Sequence, residues 1–257
     1  MSRAAAVSLA VSLLAPASIP ALAAESSAPL VLDHVWIAVS PGAPERAALE
    51  KAGFRIAPDV NRHDGRGTAS VTVEFLNRYL ELIYRDSMVA VAPGLEGVAK
   101  KFERKAAWRE TRASPFGVGT RRTPSTPAAF PFPTWKVAEE WMPKGASMEI
   151  LTPREASNAP SLFVTAEPVD EAKMRSLAAD PIRGAMFRHP NGTREMTSVR
   201  VVAPTAADLP PAAKYLSDAG AATFEVGPDW LLEVTLDGGK QNATRDLRPA
   251  LPLVVRY

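Results

Sequence analysis

The chain has 257 residues, 46 % hydrophobic and 23 % charged, which suits one large soluble domain or two smaller ones and excludes disordered, collagenous and multi-span membrane classes. Thirty basic residues against 28 acidic give a net charge of +2, with no run of more than three like charges, so no nucleic-acid partner is expected. Twenty-four prolines point to short elements joined by rigid connections, and the absence of cysteine leaves core burial to hold the fold.

The first residues have the form of a leader. Met1-Ser2-Arg3 carries one positive charge, an apolar run follows from Ala4 to Leu14, and Pro16 and Pro20 interrupt it before Ala21-Leu22-Ala23-Ala24. A bilayer span needs about 20 uninterrupted apolar residues, so no membrane anchor is expected. We expect residues 1–24 to be a signal peptide and the mature protein to be periplasmic or secreted.

From Val31 to Val39 the chain reads as a strand, with Val35, Ile37 and Val39 on one face and His34, Trp36 and Ala38 on the other. Pro44 to Ala52 is a short helix that exits at Gly53, and Phe54 to Ala57 resumes as strand. Asn61 to Thr68 is a polar loop punctuated by Gly65 and Gly67. Ser70 to Leu76 and Arg78 to Arg85 then alternate as two further strands, the second presenting Tyr79, Glu81 and Ile83 away from Leu80 and Leu82.

The middle is diluted by proline. Leu95, Val98 and Phe102 share one helical face, Phe116 to Arg121 reads as a strand, and Thr134 is placed to cap a helix through Trp135, Ala138 and Trp141. Ser147 to Leu151 and Ser161 to Thr165 read as strands, so a third unit of similar order is expected here. Near the C-terminus the order returns: a strand over Met196 to Pro204, a helix over Asp208 to Ala219 ending at Gly220, then strands at Ala222 to Val226 and Leu231 to Val234. This late copy is one strand short, and it places Ser198 where the first unit has His34 and Glu233 where it has Glu81.

Leu32-Asp33-His34-Val35 opening a strand, the Ala52-Gly53-Phe54 helix exit, His63-x-Gly65-Arg66-Gly67-Thr68 and Tyr79-Leu80-Glu81-Leu82 together resemble the glyoxalase-like branch of the vicinal oxygen chelate superfamily. The likeness covers residues 30–86 well, the middle weakly, and residues 186–237 through Arg188-His189-Pro190-Asn191-Gly192 and the late repeat. It implies an α+β fold of repeated βαβββ modules forming a curved, half-open mixed β-sheet barrel with helices outside. Residues 25–86, 87–195 and 196–257 would be the three modules of one domain. It also implies a divalent metal bound by His34, Glu81 and Glu233, with His189 or His63 as further candidates, and Glu81 as the catalytic carboxylate.

The alternation reaches His34 and Glu81 independently, since both fall on the face turned away from the apolar stripe. An imidazole and a carboxylate converging from adjacent strands suit zinc, manganese, iron or nickel, and a metal there would polarise two vicinal oxygens of a substrate. Trp36, His63, Arg66, Thr68, Tyr79 and Arg200 are the candidate substrate contacts. The expected activity is isomerase, lyase or dioxygenase chemistry on a small molecule, by a monomer or homodimer. The alternative is a metal-free cup that sequesters a small ligand between Trp36, Tyr79 and Arg200. Bland readings stand beside these: His34 as a surface strand histidine, Glu81 paired with a cation, and Gly65 and Gly67 serving the turn alone. Gly117-x-Gly119 lacks the third glycine of a dinucleotide loop.

Overall fold

The computed structural model describes residues 28–139, 142–156 and 158–257; the expected leader lies outside the described residues, as does Trp141. The first unit runs β1 (Leu30–Ala38), α1 (Arg46–Lys51), β2 (Asn61–His63), β3 (Thr68–Glu74) and β4 (Tyr79–Arg85). Helices α2 (Glu96–Ala106) and α3 (Trp108–Thr111) lead to a second unit of β5 (Phe116–Arg122), β6 (Trp135–Val137), β7 (Met148–Ile150) and β8 (Ser161–Val164). Helix α4 (Glu171–Ala179) and a 3-10 turn (Arg183–Phe187) precede β9 (Met196–Ala203), α5 (Pro211–Asp218), β10 (Thr223–Val226), β11 (Leu231–Leu236), β12 (Thr244–Asp246) and β13 (Leu253–Arg256).

Strands β1 to β8 form one curled mixed sheet in the order β2-β3-β4-β1-β5-β8-β7-β6. In each half the first strand pairs parallel with the last, β1 with β4 and β5 with β8, and antiparallel pairing of β1 with β5 joins the halves. The fold is thus α+β, with two modules of the same strand order side by side in a half-barrel. The second module carries a proline-rich connection where the first has α1.

Strands β9 to β13 form a separate sheet, β10-β9-β11-β13-β12. It packs against the outer face of the half-barrel over one shared core, in which Val35, Ile37, Val71, Val73, Leu80 and Leu82 meet Val199, Val201, Leu232, Val234 and Val255. At this seam the Phe54 and Tyr257 rings lie 6.4 Å apart and those of Phe116 and Trp230 6.2 Å apart. A second, smaller cluster lines the concave face: Trp36, Ala38, Ile83, Met142, Met148 and Phe163, with Phe102 and Ala106 of α2 plugging one end.

Three local expectations are corrected. Trp135 to Val137 is an edge strand, since its backbone pairs with β7 and its indole Nε1 donates to the Thr152 carbonyl; the helical spacing there rested on three residues. Asn61 to His63 is strand rather than loop, paired with β3, while Phe54 to Ala57 lies beside β3 without forming a named strand. The late repeat also differs in topology. With one strand fewer, the chain returns in the opposite sense: β11 runs antiparallel to β9, whereas β4 runs parallel to β1.

Candidate functional site

The concave face is organised in rows across the strands. Register places Glu74, Tyr79, His34, Gly119 and Phe163 in one row, and Thr72, Glu81, Trp36 and Gly117 in the next. Ser70, Ile83 and Ala38 form a third row, which β2 extends with Asn61. Between these residues Val35, Ile37, Val71, Val73, Leu80 and Leu82 point the other way into the main core, as a period of two requires.

His34 is held by a local irregularity. The pairing of β1 with β5 slips between Leu32 and His34, so Asp33 is an extra residue without a partner on β5. Such a bulge brings neighbouring side chains together. The fully buried Asp33 carboxylate accepts from His34 Nδ1 at 2.7 Å through one oxygen and from the Val169 backbone N–H at 2.7 Å through the other. A carboxylate only accepts, so His34 Nδ1 carries the proton and Nε2 of the neutral ring holds the lone pair. The ring stacks on Tyr79 with centroids 4.4 Å apart and meets Phe163 edge-on at 5.5 Å, which fixes its plane.

The two glycines of β5 make room for this arrangement. A Cβ on Gly119 would stand 2.7 Å from His34 Cε1, and one on Gly117 would stand 1.9 Å from Trp36 Cε2. Neither glycine has a positive φ, so close approach of the rings, and not backbone conformation, is what requires glycine here.

Glu81 sits at the polar end, with His63 Nε2 3.5 Å from its Oε1 and His63 Nδ1 in turn 2.9 Å from Thr68 Oγ1. Burial raises the Glu81 carboxyl, but His63, the charge that His34 carries when protonated and the nearby Ser70 hydroxyl outweigh it, so its pKa lies below the ordinary value. The Ser70 hydroxyl is fully buried and makes no hydrogen bond of ordinary geometry among the described residues. Glu74 is shifted the other way: burial raises its carboxyl, Glu81 adds to this, and the bond from Thr72 Oγ1 at 2.6 Å with the charge that His34 carries when protonated offsets it only in part. Burial, then the charges of Glu81 and Asp33, hold the Tyr79 hydroxyl well above its usual range, so it stays a donor.

The structure thus brings His34, Trp36, His63, Thr68, Tyr79 and Glu81 to one cup and leaves Glu233 and Arg200 out. Those two lie on the outer face of the second sheet, where Arg200 holds Glu233 at 2.5 Å and Glu225 at 2.5 Å and Arg256 approaches Glu233 at 3.3 Å. The reversed direction of β11 is the reason, since Glu233 is not the counterpart of Glu81. His189 lies in the main core, its Nδ1 accepting from the Arg55 backbone N–H at 3.1 Å and its Nε2 donating to the Glu74 carbonyl at 2.9 Å. Arg66 is engaged by Glu139 at 2.5 Å, a buried pair joining the loop after β2 to the chain beyond β6, the two edges of the half-barrel.

These donors do not fit a divalent metal. Among the described residues no three His, Asp or Glu side chains come together to hold one, whereas protein sites for zinc and its neighbours use at least three. The second module offers Gly117, Gly119 and Phe163 on the cup face, none of which carries a side-chain ligand atom. Asp33, Glu74, Ser70 and the glycine pair are the site features that the sequence patterns missed. A signal for the bulge was present, because the apolar phase Leu30, Leu32 shifts by one at Asp33-His34 before Val35, Ile37, Val39.

A family model described as a glyoxalase-like domain matches residues 32–216. Among solved structures the chain is similar to a hypothetical protein from Staphylococcus aureus at 10 % identity, over 88 % of this chain and 98 % of that one, with a TM-score of 0.47. No curated protein matches.

Proposed function

The chain belongs to the glyoxalase-like domain family, and from that premise we propose that its cup takes up a small molecule with two vicinal oxygens and moves a proton on it, as an isomerase or lyase does. The observation that carries this is the Asp33–His34 pair, in which a buried carboxylate sets the tautomer and leaves Nε2 as a general base on the concave face. When Nε2 takes a proton from carbon, the Asp33 carboxylate stabilises the imidazolium that results. Glu81, ionised close by, favours the same cation. Trp36, Phe163, Met142 and Met148 supply the apolar side of the cup, which limits water around the reacting atoms.

That apolar half, closed at its edges by Arg66 and Glu139, also supports a second reading, retention of a ligand without turnover. The leader-like residues 1–24 support a place of action outside the cytoplasm, which N-terminal sequencing of secreted protein starting near Ala24 or Glu25 would test.

Hydroxyacetone, a minimal carbon acid with vicinal oxygens, tests the proton transfer. In D2O the protein should speed deuterium entry at the carbinol carbon, read by proton NMR, and His34→Gln should lower that rate about 10²- to 10⁴-fold. Exchange no faster than in buffer, with hydroxyacetone nonetheless shifting tryptophan fluorescence, favours retention and defeats the catalytic reading.

A further inference from the structure

Removing a proton from carbon builds negative charge on the ligand's oxygen, and His34 cannot serve both ends. We infer that Glu74 is the proton donor for that oxygen, a role that rests on the proton transfer proposed above.

Position is the first support. Glu74 pairs with Tyr79 and Tyr79 with His34, so the carboxyl and the imidazole stand in one row with a single strand between them. Strands lie about 4.8 Å apart, which puts the two backbones about 10 Å apart across the strand of Tyr79, a span that a ligand of a few atoms can bridge between their side chains. Alternation along β3 turns Glu74 to the same face as Ser70 and Thr72, away from buried Val71 and Val73.

Partners are the second support. Glu74 Oε1 accepts from Thr72 Oγ1, and no Lys or Arg makes an ion pair with Glu74 among the described residues. The charged groups that act on it across the cup are Glu81 on β4, which favours its neutral form, and His34 on β1, which opposes that form once protonated. Tyr79 between them is neutral. Two carboxyls on one wall are therefore driven apart, Glu81 toward the anion and Glu74 toward the acid, which is how environments divide proton donors from charged groups at acid–base sites.

The step balances. The C–H bond breaks and its proton goes to His34 Nε2; its electron pair becomes the carbon–carbon π bond; the carbonyl π pair takes the Glu74 proton and becomes an O–H bond. The product is a neutral enediol facing an imidazolium and a carboxylate. Return of a proton to carbon, with loss of the hydroxyl proton to Glu74, resets both groups.

Two readouts test this on the full chain with Glu74→Gln, an isosteric change expected to leave the thermal midpoint unaltered. Infrared difference spectra collected as pH rises from acid to neutral should show, in the native protein and in His34→Gln, a protonated-carboxyl band that outlasts those of ordinary carboxyls and is missing from Glu74→Gln. Deuterium exchange into hydroxyacetone should fall about 10²-fold in Glu74→Gln and lose the decline that accompanies ionisation of the native acid as pH rises. A band that persists in Glu74→Gln, or a rate and descending limb that survive it while His34→Gln abolishes exchange, overturns the assignment of Glu74 and leaves the base in place. A native protein that shows the band but no exchange overturns the proton-transfer reading itself, and the donor role with it.

Discussion

Gly117→Ala isolates the steric logic of the cup floor. In a strand without positive φ, alanine ordinarily gains about 0.5–1 kcal/mol over glycine because the unfolded chain has less freedom to lose. Here the new methyl would stand 1.9 Å from Trp36 Cε2 and 2.1 Å from Nε1. The indole has little space to yield, being 6 % exposed, set against Phe102 at 5.5 Å and under the Lys105 ammonium at 5.9 Å. Overpacking of this kind costs about 1–3 kcal/mol, and so deep an overlap belongs at the upper end, leaving a net loss of about 2 kcal/mol. For a chain of this size that lowers the thermal midpoint by about 4–8 °C. Urea unfolding of the native protein, Gly117→Ala, Trp36→Ala and the double variant would measure it, with a favourable coupling of about 2 kcal/mol in the double variant because Trp36→Ala vacates the space. A Gly117→Ala protein as stable as the native one, or a strictly additive cycle, would refute the claim that the indole lies on this glycine.

Asp33→Asn keeps an acceptor for the Val169 N–H but withdraws the charge facing His34, so exchange into hydroxyacetone should drop about 100-fold, checked by NMR with circular dichroism as the fold control. Glu139→Gln withdraws the charge from the pair that joins the barrel edges while keeping an acceptor, so the loss should be about 1–3 kcal/mol, read from the urea midpoint. Burial holds the His189 imidazole below its ordinary value against the opposing Glu74 carbonyl. Its contribution is therefore complete above the unfolded pKa of about 6.5 and is lost as pH falls below that toward the folded value, a slope that His189→Gln should remove between pH 8 and 5. Lys105 donates to the Ser114 and Ala159 carbonyls, and burial, reinforced by Lys101 and Arg104, holds its pKa well below the usual lysine value. Stability should thus climb as pH rises from the lowered folded value toward about 10.4, and Lys105→Met should flatten that climb in urea titrations across the alkaline range.

Local pattern determined a good deal of this protein. Alternation alone assigned Val35, Ile37 and Val39 to the core and His34, Trp36, Tyr79 and Glu81 to the opposite face, because a strand's period of two is a property of the backbone and needs no partner. The helix exit at Gly53, with its φ of 83°, was legible for the same local reason. What no local pattern carries is which strands meet and in which direction. Glu233 matched Glu81 in its neighbours along the chain, yet one missing strand reversed β11 and turned that carboxylate to a solvent-side ladder of arginines. Gly117 and Gly119 looked like an incomplete phosphate loop until the pairing of β5 with β1 laid two rings across them. The Asp33–His34 contact, the row from Glu74 to Phe163 and the Arg66–Glu139 bridge likewise arise from pairings between distant segments. Their energies depend on burial and register, which only the assembled sheet decides.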